Sequence, residues 1–146
     1  MKEVLNDLFD YPNLKIYQYV EGFKFSLDSI LLAEYVKINS KTKTILDLCS
    51  GNAAVPMILS TKTKALIDAF EIQACIYELA KKSIKYNKLD NQITIYNENI
   101  KNIEKLKKGI KYDIITCNPP YFKVDDDKHI NNTEILGAQR LPDFYR

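Results

Sequence analysis

Four residues near the end of the chain carry the strongest chemical signal: Asn118, Pro119, Pro120 and Tyr121, in the run "TCNPPYF" (Thr116 to Phe122). They follow the apolar stretch "YDIITC" directly. Two consecutive prolines fix the backbone and withhold two N–H donors, so the neighbouring carbonyls act purely as acceptors. Asn118 adds its side-chain carbonyl beside them. Such a set can grip both hydrogens of a planar –NH2 group, on a base or on an amide. Tyr121, with Phe122, offers a ring face on which a planar group stacks. The plain alternative is a proline-stiffened turn with packed rings. It does not explain why the motif follows a strand in a sheet patterned like a cofactor domain.

A second set lies upstream. Asp47 stands near the end of the apolar run "TILDLC", and Gly51 follows in "CSGNAA". A glycine at a strand-to-helix turn lets backbone amides approach a ligand, and the helix N-terminus adds favourable partial charge. Twenty positions on, Glu71 ends a second apolar run, where an acid can accept hydrogen bonds from both hydroxyls of a ribose. One glycine is a weak motif, and taken alone the turn fits a ligand site or an ordinary connection equally well. At the end of "QITIYNENI", Asn99 or Glu98 can face the same crevice and read the edge of an adenine ring; solvated loop residues are the alternative.

These residues need elements to hold them. The alternation of strand-like and helix-like segments predicts an α/β fold with a mainly parallel sheet. "LKIYQYVEGFKF" reads as a hairpin turning at Glu21-Gly22. "SLDSILLAEYV" reads as a helix with Ser26 as N-cap and Leu27, Ile30, Leu31 and Tyr35 on its inner face. The runs Thr44–Cys49, "ALIDAFEI", "QITIYNENI" and "YDIITC" read as four strands. Pro56 suits the first turn of the helix that follows "SGNAA". "QACIYELAKKSIKYNKL" reads as a helix with Ala74, Tyr77, Ala80 and Ile84 inward and Lys81, Lys82, Lys85 and Lys88 mostly on the other face. The lysine-rich connector from Lys101 to Lys111 is expected to be part helical.

The chain as a whole narrows the class. Its 146 residues suffice for one domain, and 46% apolar with 27% charged residues is ordinary for a globular protein. No apolar run is long enough to span a bilayer, and the acidic start "MKEVLNDLFDYPNLK" lacks a signal-peptide core, so a cytoplasmic location is expected. A net charge of +2 does not by itself indicate nucleic acid. Cys49, Cys75 and Cys117 have no metal-binding or disulfide spacing, so no metal is expected. Cys49 and Cys117 are read as small buried hydrophobes.

With these residues in place, the chain resembles the S-adenosylmethionine-dependent amino-methyltransferases with an NPPY motif, through "DLCSGNAA", "FEI" and above all "NPPYF". "LKIYQYVEGFKFSLDSILLAEYV" is similar to the segment that precedes the cofactor domain in the bacterial tRNA(Val) adenine N6-methyltransferases. The resemblance runs from about Leu14 to Phe122. It implies a Rossmann-like class I methyltransferase fold, S-adenosyl-L-methionine as cofactor and tRNA as substrate. It implies that Asp47 and Gly51 hold the methionine end of the cofactor, Glu71 its ribose and Asn99 its adenine. Phe25, Ser26 and Asp28 would close over it from the amino-terminal side. Asn118 and the Pro119 carbonyl would accept from the target N6 amine, with Pro120 stiffening the motif and Tyr121 stacked on the base. Asn99 replaces the usual aspartate, and the turn has fewer glycines than most relatives.

The resemblance also divides the chain. Residues 1–36 form an N-terminal hairpin and helix packed on the core, residues 37–124 a partial cofactor-binding core, and residues 125–146 a polar tail holding the single His129. The expected fold stops after the fourth strand, leaving that strand as an apolar edge. Three readings follow: a tRNA adenine N6-methyltransferase, an inactive cofactor-binding remnant, and a protein glutamine N5-methyltransferase, whose amide presents the same two hydrogens. The lysine clusters suit either RNA phosphates or solvent.

Overall fold

A computed structural model describes residues 1–21 and 24–120. Tyr121, Phe122, His129 and the rest of the segment 121–146 lie outside the described residues, as does Gly22. The chain begins with a hairpin of β1 (Glu3–Leu8) and β2 (Tyr11–Tyr19), followed by α1 (Leu27–Tyr35). Alternating units come next: β3 (Thr44–Leu48), α2 (Ala54–Ser60), β4 (Leu66–Glu71), α3 (Ala74–Tyr86) and β5 (Ile93–Asn97). A 3₁₀ turn (Ile100–Asn102) and the short α4 (Ile103–Leu106) lead to β6 (Ile114–Cys117).

The four core strands form one parallel sheet in the order β5-β4-β3-β6. Parallel strands joined by crossover helices place all their carboxyl ends along one side, so Leu48, Glu71, Asn97 and Cys117 share that side. Among the described residues β6 is an edge strand, and Ile115 on it is 61% exposed. Asp113 ties its beginning to β3 by accepting from the Lys43 and Thr44 amides at 2.7 and 3.0 Å.

The core gathers side chains of α2 with those of α1, β2, β3 and β4 in one cluster. Every residue of α2 is buried, and Ile45, Ile58, Leu59 and Ile67 are within 1% of complete burial. Each such side chain contributes about 2 kcal/mol by leaving water. On the sheet's other face, Phe70 stacks on Tyr96 (centroids 4.9 Å apart), and Lys107 lies 4.3 Å from the Tyr96 ring centre. Lys107 also pairs with Asp68 at 3.0 Å, which accepts from the Tyr112 hydroxyl at 2.6 Å.

Four expectations are corrected. The hairpin turns at Phe9-Asp10, not at Glu21-Gly22: Leu8 pairs with Tyr11, and Phe9 takes a left-handed φ of 43°. Lys24 and Phe25 lie in no strand. On α1 the buried residues are Ser29, Ile30 and Ala33, while Leu27, Leu31 and Tyr35 are exposed. On α3 the inner face is Ile76, Leu79, Ala80, Ser83 and Ile84, with Ala74 exposed and Tyr77 only half-buried. Nor are the cysteines buried: Cys49 is intermediate and Cys117 exposed.

The hairpin is fastened to α3 by side chains that stand in for a neighbouring strand. Asn87 accepts from the Lys15 amide at 2.9 Å and donates to the Lys15 carbonyl at 2.6 Å. Ser83 Oγ accepts from the Tyr17 amide at 2.9 Å. Leu14 and Ile16 then join the core from this strand.

Candidate functional site

The turn between β3 and α2 bends by three alternating left-handed residues, Cys49 (φ 56°), Gly51 (φ 55°) and Ala53 (φ 68°). Only Gly51 adopts that conformation without steric cost; Cys49 and Ala53 each take on about 1–2 kcal/mol of strain. What holds the turn is a pair of buried carboxylates. Asp47, 1% exposed, accepts from Ser50 Oγ at 2.6 Å on one oxygen and from Thr116 Oγ1 at 2.5 Å on the other. Glu71, 5% exposed, accepts from the Gly51 amide at 2.9 Å and from the Gln73 amide at 2.8 Å.

Burial drives the titration of both acids. Desolvation pushes Asp47 up to about 6; the hydroxyls of Ser50 and Thr116 oppose this and the charge of Glu71 adds to it. Glu71 is likewise raised by burial, against the pull of the Gln73, Gly51 and Ile72 amides. Two neutralisable acids beneath one turn favour a cationic ligand, which stabilises their charged forms.

The third strand end is tied in by Asn97, whose Nδ2 donates to the Glu71 and Ile72 carbonyls at 2.9 and 3.1 Å. Asn99 is half-buried, and its Oδ1 caps the following 3₁₀ turn by accepting from the Lys101 amide at 2.9 Å. Glu98 accepts from the Asn99 amide and from Asn102.

The Asn-Pro-Pro segment leaves β6 at the same side of the sheet. Asn118, Pro119 and Pro120 are half-buried, and Asn118 Nδ2 donates to Ser29 Oγ at 3.0 Å. Cys49 follows Leu48, whose partner at the end of β6 is Cys117, and both cysteines are free thiols. The neighbouring Cys117 thiol and burial push the Cys49 thiol up, and the interaction with Cys49 lowers Cys117. From the amino-terminal side, Phe25 packs against the core. Ser26 occupies the N-cap position of α1 without a side-chain capping bond, and Asp28 is exposed in the first turn.

Asp47, Gly51 and Glu71 thus meet in one hydrogen-bonded cluster, and Thr116 carries that cluster to the strand that presents Asn118. Ser50, Thr116 and Ser29 were not singled out from the sequence. A lone hydroxyl in the apolar "IITC" was the available signal for Thr116; Ser50 and Ser29 offered none.

The model of the methyltransferase small domain family matches residues 24–141. A tRNA1(Val) (adenine(37)-N6)-methyltransferase from Flavobacterium psychrophilum is 27% identical over 93% of this chain and 57% of its own length. One of the same description from Histophilus somni is 32% identical over 79% of this chain and 49% of its own. The chain thus spans about half the length of the curated relatives it matches. Among solved structures, a SAM-dependent methyltransferase from Agrobacterium tumefaciens superposes with a TM-score of 0.63 at 16% identity, over 82% of this chain and 40% of that one. It shares the parallel Rossmann-like fold. With the family match covering well over half of its residues, the chain belongs to the methyltransferase small domain family.

Proposed function

We propose that this chain carries the cofactor and acceptor sites of an S-adenosyl-L-methionine-dependent methyltransferase acting on an exocyclic amino group, with tRNA adenine N6 as its substrate. The observation that carries the reading is a short hydrogen-bonded link. The acid-held turn and the Asn-Pro-Pro segment end adjacent parallel strands and are joined by the Asp47–Thr116 bond. Membership in the family supports the reaction class, and the descriptions of the Flavobacterium and Histophilus relatives support the substrate. Among the described residues no helix is long and apolar enough to cross a membrane; a cytoplasmic site of action follows from the tRNA reading.

In this reading, residues 37–124 form the cofactor core, residues 1–36 pack on it as an N-terminal hairpin and helix, and residues 125–146 are a polar tail beyond the described residues. Gly51 and Asp47 hold the methionine end, Glu71 the ribose and Asn99 the adenine; Phe25, Ser26 and Asp28 border the cofactor. S-adenosylmethionine supplies a methyl group on a sulfonium cation. The raised Asp47 and Glu71 fit a cation of this kind: both ionise fully above the range where burial holds their protons. Asn118 Oδ1 and the Pro119 carbonyl accept the two hydrogens of the target amine, and Pro120 keeps that carbonyl in place. Tyr121 stacks on the base. Two acceptors on one –NH2 draw the nitrogen lone pair out of conjugation and aim it at the methyl, so positioning supplies most of the rate.

The test is transfer of labelled methyl from S-adenosylmethionine to tRNA lacking the modification, with the product nucleoside identified by mass spectrometry. N6-methyladenosine is expected. Cofactor binding by calorimetry without any transfer marks the chain as a binding remnant, and label on protein amide instead of RNA selects glutamine as the acceptor.

A further inference from the structure

An asparagine side chain carries a donor and an acceptor on one planar group, so an acceptor role requires something to choose which end faces the substrate. In this fold one tie on that amide comes from the far end of the chain. Asn118 Nδ2 donates to Ser29 Oγ at 3.0 Å, across 89 positions of sequence. Ser29 is 8% exposed, in the first turns of α1, and its neighbour Ile30 belongs to the core. The oxygen that receives the bond is therefore anchored by packing, not by a mobile surface.

We propose that Ser29 is the positioning residue of Asn118: it holds the Nδ2 end toward α1 and so commits the Oδ1 end to the acceptor side. This rests on the methyltransferase reading and adds to it the share of the N-terminal helix in acceptor geometry. Ser29 Oγ is the acceptor in this contact, so the amide nitrogen of Asn118, and not its oxygen, is the end turned toward α1. A flipped amide would set its own two hydrogens against those of the target –NH2, replacing attraction by repulsion. The same bond fastens α1 to the segment after β6, so the amide orientation and the docking of the amino-terminal helix are one event.

The experiment uses the full chain and does not depend on turnover alone. In the ¹⁵N-labelled protein the Asn118 side-chain NH2 pair is assigned by its loss in Asn118→Asp. In wild type one of the two protons is expected to exchange with solvent more slowly than the other; equal, fast exchange overturns the proposal. Ser29→Ala is expected to equalise the pair and lower kcat for methyl transfer at least tenfold, with cofactor Kd changed less than twofold. Ser29→Thr, which keeps the oxygen, is expected to restore both. An unaltered pair in Ser29→Ala overturns the assignment. Should wild type transfer no methyl to tRNA, the substrate reading falls, while the unequal exchange still decides the role of Ser29.

Discussion

The turn at Cys49–Ala53 and the segment Asn118–Pro120 end neighbouring strands yet hold their residues by opposite means. The turn is left-handed at two non-glycine positions and is restrained from below by two buried acids, each with both oxygens engaged. The Asn-Pro-Pro segment sits half-buried after β6, an edge strand among the described residues, stiffened by imino acids and tied to α1 through Ser29. One region stores strain against hydrogen bonds; the other removes backbone freedom covalently. On the proposed function, cofactor binding and turnover then rest on different supports, linked through the Asp47–Thr116 hydrogen bond.

The sharpest separation comes from Asn118→Ala. Removing one acceptor that acts on the reacting amine is expected to lower kcat by about 10²–10³, with cofactor affinity held within twofold; a parallel loss of affinity would show that the two regions are not independent. Next is a pH effect confined to the turn. Asp47 titrates near 6 when folded, above its ordinary value of 3.8, so its contribution to stability is complete below about pH 4 and lost as pH rises through 6. Urea unfolding of wild type and Asp47→Asn at pH 4 and 7.5 is expected to show wild type losing up to about 3 kcal/mol relative to the variant. A difference that stays constant with pH contradicts the burial of that charge.

Glu71→Ala removes the acceptor for the Gly51 and Gln73 amides. It is expected to weaken S-adenosylmethionine binding by about 2 kcal/mol, roughly thirtyfold, by calorimetry. The residual kcat at saturating cofactor should stay near wild type, the converse of Asn118→Ala. The smallest effect is a gain. Ala53→Gly relieves the left-handed strain and is expected to stabilise the fold by about 1 kcal/mol, raising Tm by a few degrees. A loss of stability there would mean that the methyl of this fully buried alanine contributes more than its backbone strain.

The strands and their parallel order were legible because apolar runs of four to six residues alternate with helical periods. The turn at Phe9-Asp10 was not, since neither residue signals a hairpin and the left-handed Phe9 is imposed by pairing of β1 with β2. Periodicity located the apolar stripe of α1 but could not say whether anything covers it, and Leu27, Leu31 and Tyr35 are exposed. The site divides in the same way. Asp47, Gly51, Glu71 and Asn118 stand out by type and local setting, whereas Ser50, Thr116 and Ser29 acquire meaning only from partners, two of them distant in sequence. Cys49 and Ala53 hide their left-handed backbone because no glycine marks it.

The fastening of β2 to α3 has a further consequence. The amides of Lys15 and Tyr17 donate to Asn87 and Ser83 and not to another strand. Their deuterium uptake therefore clocks the undocking of the hairpin from α3.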